Sequence, residues 1–197
     1  TDRSILADSL EAHTLTLFAL HTPARLFESR GHAVVSAGAA LDATLALAPG
    51  LKIIAIFNSH PHADFASGFR ELAQRTGAQV YVSHLAPAHY DRRAAKDGEK
   101  VKLGSLEVEL LETPGHSPDS LSFLVRENGR PVVVFTGDLL FVNDVGRPDL
   151  RDADEDPSEL AGKLYDSLHQ KILTLPDEVK VYPAHGAGSL CGRAISD

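Results

Sequence analysis

The stretch Lys52-Ile53-Ile54-Ala55-Ile56-Phe57-Asn58-Ser59-His60-Pro61-His62-Ala63-Asp64-Phe65 decides how this chain is read. Its first seven residues form a nearly continuous apolar run. Such a run reads as a strand covered on both faces, as in a layered fold. A loop with two imidazoles and a carboxylate follows directly. In a chain with ten histidines, His-x-His-x-Asp arises by chance about 0.04 times. Imidazole and carboxylate are ligands that divalent zinc, iron, nickel and manganese accept. A rigid strand ahead of the loop holds such ligands at one place.

Outward from this stretch the pattern alternates between helix and strand. A helix is predicted over 66–76, with Phe65, Phe69, Leu72 and Ala73 on one side and Gly77 as its stop. Strands are predicted over 79–83, 106–112, 120–125, 131–136 and 179–182, and Asn128-Gly129 marks a hairpin turn. Asp156-Pro157-Ser158-Glu159 opens a helix running to about residue 173, with Asp as N-cap and Pro in the first turn. The acidic approach to it, 149–159, reads as a solvated loop before a helix N-terminus that favours negative charge. Upstream, 15–20 and 33–35 read as strands, and 39–48 as a helix ended by Pro49-Gly50. The whole is a mixed α and β layered fold.

A chain of 197 residues with 43% apolar content suits one domain with a real core, here taken as 1–197. Nineteen basic against 27 acidic residues give a formal net charge of −8. That balance argues against a general nucleic-acid binder and against docking on an anionic membrane. The single cysteine, Cys191, permits no intrachain disulfide and fits a reducing compartment, so a cytoplasmic location is expected. No run approaches a spanning helix. Methionine is absent, so a trimmed or processed start is expected.

Three further segments place a ligand type just past a strand. They are Thr113-Pro114-Gly115-His116-Ser117, Thr136-Gly137-Asp138 and Tyr182-Pro183-Ala184-His185-Gly186. Each alone has an ordinary reading: a hydrogen-bonded loop histidine, or an aspartate in a turn. Together with the His60 loop they read as one metal centre gathered from several strand ends.

As a set, these four motifs resemble the metallo-β-lactamase superfamily in order and spacing, over about residues 52–190. The resemblance implies an α+β fold, the αββα sandwich, with the metal at one edge between the sheets. One position departs from it. The superfamily usually has a second histidine after the aspartate, where this chain has Phe65. Phenylalanine cannot ligate, which weakens the case for a two-metal hydrolase. His-Pro-His-Ala-Asp-Phe with Ser67-Gly68, the segment Asp144-Val145-Gly146-Arg147-Pro148-Asp149 and the tail from His185 to Gly192 are similar to the persulfide dioxygenase branch often fused to rhodanese domains.

That branch implies iron(II) held by His60, His116 and Asp138, a two-histidine, one-carboxylate arrangement with open positions. It implies a low-molecular-weight thiol persulfide and O₂ as substrates, and sulfite and thiol as products. His62, Asp64 and His185 are then catalytic groups that orient ligands and substrate. Arg147 is a substrate-binding candidate for an anion on the thiol carrier, or the partner of Asp149 in a surface ion pair. Cys191 is a thiol near the metal that carries a persulfide or is oxidised, or a small buried residue beside Gly192. A rhodanese module as partner and a homo-oligomer complete the expectations. Zinc is expected to fill the site readily in purified protein, since it ranks above iron(II) in affinity. Two rivals stand beside this reading. One is a zinc thioester hydrolase resembling glyoxalase II. The other is a degenerate scaffold that binds a thiol or partner protein and catalyses nothing.

Overall fold

A computed structural model describes residues 14–19, 25–29, 32–37, 52–61, 68–104, 106–150, 156–185 and 191–192, the first three segments and Lys52 by backbone alone. The helix predicted over 39–48, the loop 62–67 and the acidic segment 151–155 lie outside the described residues.

The apolar run 52–58 lies in the middle of a sheet. Strands β1 (Thr14–Ala19), β2 (Arg25–Ser29) and β3 (His32–Ala37) join β4 (Lys52–Asn58), β5 (Gln79–Ser83) and β6 (Arg93–Ala95) in the order β2-β3-β1-β4-β5-β6. Strand β4 has parallel neighbours on both sides, β1 and β5. Its Ile53, Ala55, Ile56 and Phe57 are at most 4% exposed. Both faces of the run are therefore covered, which is why it shows no polar alternation.

The second sheet is built from β7 (Lys100–Leu103), β8 (Leu106–Glu112), β9 (Leu121–Glu127) and β10 (Arg130–Gly137). A small ribbon, β11 (Leu140–Phe141) with β12 (Asp144–Val145), follows, and β13 (Lys180–Pro183) returns parallel to β10 at the sheet edge. The β9–β10 turn has Asn128 at φ 50° and Gly129 at φ 80°, the left-handed pair that a tight hairpin needs.

Two helices close the outer faces. Helix α1 (Phe69–Thr76) ends at Gly77, which sits at φ 70° and donates its N–H to Ala73. Helix α2 (Pro157–Ser167) starts at Asp156, whose carboxylate accepts from the Ser158 N–H. It continues as a single π-turn, Leu168–Ile172, closed by the Leu173 N–H to Leu168 bond. The predicted helix thus has the right extent but a wider last turn.

Three apolar clusters mark the layers. Ala55, Phe57, Val108, Leu110, Phe123, Val125 and Phe135 pack between the two sheets. There Phe57 stacks on Tyr81 with ring centroids 4.8 Å apart and leans on Phe123 across the gap at 5.4 Å. Ile53, Ile56, Leu72 and Val80 lie beneath α1. Leu124, Val134, Leu139, Leu164 and Ile172 lie beneath α2 and its π-turn. This is the α-β-β-α sandwich the resemblance implies. Strands β2, β6, β7, β11 and β12 escaped the sequence reading because they are short, polar or both. Among the described residues no helix is long and apolar enough to cross a membrane.

Candidate metal centre

Strands β4, β8, β10 and β13 each end in one of the singled-out segments, and all four ends meet at one edge of the sandwich. His60 follows β4 by two residues, Asp138 follows β10 directly, and His116 and His185 stand in the loops after β8 and β13. Backbone bonds tie the ends together. The Leu121 N–H donates to Ser59 at 2.8 Å, which links the His60 turn to the second sheet. The Ala184 N–H donates to Gly137 at 3.0 Å, which couples His185 to the Asp138 turn.

His60, His116 and Asp138 form one group whose ligand atoms lie within 4.8 Å of one another. Asp138 Oδ2 is 3.6 Å from His60 Nε2 and 3.5 Å from His116 Nε2. Those separations exceed hydrogen-bond range. They suit donors held about 2.1 Å from one shared ion, which stand about 3 to 3.5 Å apart. The carboxylate oxygen is buried and makes no hydrogen bond among the described residues, although a buried charged oxygen normally has a partner. The donor set therefore fits a divalent transition metal.

The second ring nitrogens and the second carboxylate oxygen are engaged. His116 Nδ1 faces the Arg147 carbonyl at 3.0 Å, and His60 Nδ1 faces Ser59 Oγ at 3.1 Å. A proton on Nδ1 leaves each Nε2 with its lone pair toward the centre, as metal-bound imidazoles require. His185 Nδ1 is 2.8 Å from Asp138 Oδ1, the oxygen turned away from the other two histidines. Burial opposes ionisation of Asp138. The His185 hydrogen bond, with the charge interactions the neighbouring histidines exert when protonated, outweighs it and holds the carboxyl below its ordinary value. The carboxylate is the form that ligates.

A sequence profile of the metallo-beta-lactamase superfamily matches residues 28–185. The chain belongs to this superfamily. Its relatives include the mitochondrial persulfide dioxygenase ETHE1 of Homo sapiens, 34% identical over 145 residues, which cover 73% of this chain and 53% of that protein. Among solved structures, ETHE1 from Myxococcus xanthus is 31% identical with a TM-score of 0.67, over 86% of this chain and 73% of that one. TTHA1623, solved in a di-iron-bound form, is 29% identical with a TM-score of 0.63, over 87% of this chain and 92% of that one. The chain spans little more than half the length of the mammalian ETHE1 proteins it matches, 53% and 58% for the human and Bos taurus forms.

Of the superfamily positions predicted from sequence, His60, His116, Asp138 and His185 come together. His62, Asp64 and Phe65 lie outside the described residues. Cys191 is the small buried residue of one reading, and it lies close to the candidate centre. It is 5% exposed, and its sulfur joins Asp138 and His185 in a second group with ligand atoms within 4.8 Å. The Arg147 guanidinium makes a two-pronged pair with Asp149, Nε to Oδ1 at 3.0 Å and Nη2 to Oδ2 at 2.7 Å.

What the sequence reading missed at position 147 is the backbone. The Arg147 carbonyl holds His116, while its N–H donates to Cys191 at 2.8 Å. Gly146 makes this approach possible: a Cβ there would lie 1.8 Å from the Asp138 carbonyl oxygen and 2.9 Å from His116 Cβ. The glycine itself was the available signal, since a close backbone approach is one of the few things only glycine permits.

Proposed function

We propose that this chain is the metal-binding module of a persulfide dioxygenase, with iron(II) held by His60, His116 and Asp138. One thiol persulfide, one O₂ and one water would give thiol, sulfite and two protons. The observation that carries the reading is the buried Asp138 Oδ2 facing two imidazole Nε2 atoms, the two-histidine, one-carboxylate set of non-haem iron oxygenases. The ETHE1 relatives support the choice of reaction. The di-iron form of TTHA1623 supports iron as a metal this scaffold accepts.

Iron(II) bound there would supply open coordination positions and the redox chemistry that O₂ requires. The chain supplies the rest. His185 fixes the Asp138 carboxylate by its hydrogen bond and keeps one oxygen turned to the centre. The Arg147 carbonyl sets the His116 tautomer. His62 and Asp64 are assigned to orienting the persulfide. Arg147, already paired with Asp149, is assigned to an anionic group on the thiol carrier, and Cys191 to the pocket wall at the sulfur end. A rhodanese module, which moves sulfane sulfur between thiols, suits the role of supplier. A reducing compartment such as the cytoplasm suits the substrate.

The test is O₂ uptake by anaerobically iron(II)-loaded protein given glutathione persulfide. Uptake matched one-for-one by sulfite is the expected result. No uptake, with bound zinc and cleavage of a glutathione thioester, would replace this reading with the hydrolase. Silence in both assays would replace it with a non-catalytic scaffold.

A further inference from the structure

We infer that Ser167 and Lys171 are positioning residues for His116, acting through the backbone of the Glu112–Gly115 segment; this rests on the reading of His116 as a metal ligand. The observation is a convergence. The residues at 112, 114 and 115, just ahead of His116, are each met by one face of the α2 helix and its π-turn. Ser167 Oγ donates to the Pro114 carbonyl at 2.7 Å. Lys171 Nζ donates to the Glu112 carbonyl at 2.7 Å. A Cβ on Gly115 would lie 2.5 Å from Leu164 Cα, so the helix backbone itself presses on that glycine. Residues 164, 167 and 171 fall at helical spacing on one side.

The two polar contacts are held firmly. Ser167 is 4% exposed, within the packing beneath α2. Lys171 also pairs with Asp97 Oδ1 at 2.6 Å, and Asp97 and Glu112 exchange backbone-to-carboxylate bonds at 2.8 and 3.1 Å. His84 adds a second group on the Glu112 carboxylate at 3.1 Å. Thr113, between the two clamped carbonyls, is buried, with its N–H on Ser120 and its hydroxyl on Ser122. The backbone entering His116 is thus fixed at successive residues, and the imidazole that follows has little freedom except rotation about its own side chain. The π-turn lies within this clamp, at Leu168–Ile172, in keeping with the recurrence of such turns beside functional sites.

The test uses the full chain loaded with cobalt(II), whose visible absorption reports ligand geometry without turnover. Ser167→Ala and Lys171→Met are expected to alter the cobalt band and to speed cobalt release to a chelator about ten- to a hundredfold. Lys171→Arg, which keeps a donor toward the carbonyl, is expected to restore both. Lys171 is partly exposed, so its variants remain informative even if Ser167→Ala folds poorly. Unchanged spectra and release rates in folded variants, with only a lowered melting temperature, would overturn the inference and leave an ordinary packing role. If wild-type protein binds no cobalt, or His116→Ala binds it equally well, the metal-ligand reading fails first.

Discussion

The two outer helices each pack on one sheet but stand in different relations to the candidate metal centre. Helix α1 packs Leu72 into the cluster beneath it. Its outer side opens on a groove of about 520 Å³ lined by Phe69, Arg70, Gln74, Tyr90 and Arg92. Helix α2 packs Leu164 into its own cluster, and with its π-turn it also reaches three positions just ahead of His116. Burial alone therefore does not make a helix part of a site. What distinguishes α2 is that polar side chains and backbone on its buried face meet a ligand-bearing segment.

Paired substitutions test that contrast, and glycine gives the largest effect. Gly115→Ala puts a methyl into the α2 backbone and is expected to cost about 3 kcal/mol or more and to abolish metal binding. Chemical denaturation and cobalt titration would read both. Truncation of the buried leucines comes next. Leu72→Ala and Leu164→Ala are each expected to lose about 2 to 5 kcal/mol. Only Leu164→Ala should speed metal release, and equal release rates in the two would erase the distinction between the helices. Gly77→Ala at the α1 terminus meets open space but keeps φ 70°, so a loss of about 1 kcal/mol with unaltered metal binding is expected. Gly162→Ala in α2 also meets open space, and at an ordinary helical position it should stabilise by about 0.5 to 1 kcal/mol.

The smallest effect concerns protons. Arg147 holds the Asp149 carboxyl below its ordinary value, chiefly through their hydrogen bond. A depressed folded value means the pair's contribution is present above the unfolded pKa and fades as pH falls through the folded one. Arg147→Ala should return the Asp149 titration upward, visible in a carboxyl NMR titration, with no change in the His116 bond to the residue 147 carbonyl.

The candidate site was legible because its geometry is local. Each of His60, His116, Asp138 and His185 follows a strand within a few residues, and a strand end fixes where the next side chains go. The β4 run announced a doubly covered strand for the same reason. What held the ligands was not legible. Ser59 is an unremarked residue beside His60, the partner of His116 is a carbonyl that every residue possesses, and Lys171 reaches Glu112 across 59 residues. Long-range contacts leave no periodicity or motif to read. Gly146 and Gly115 were the exceptions in principle, since each marks a place where two backbones meet.

The chain order of the ligands has a consequence in time. The predicted ligands are drawn from positions 60, 116 and 138, just past strands of both sheets. Synthesis delivers them one by one, and a nascent chain that has emerged only through β9 carries two of the three predicted ligands without the carboxylate. Contacts this distant close late, because loop-closure entropy must be met before they form. Metal uptake by the full set therefore reports that both sheets have docked. Followed during refolding, it should lag behind the β9–β10 hairpin and coincide with the last phase of burial.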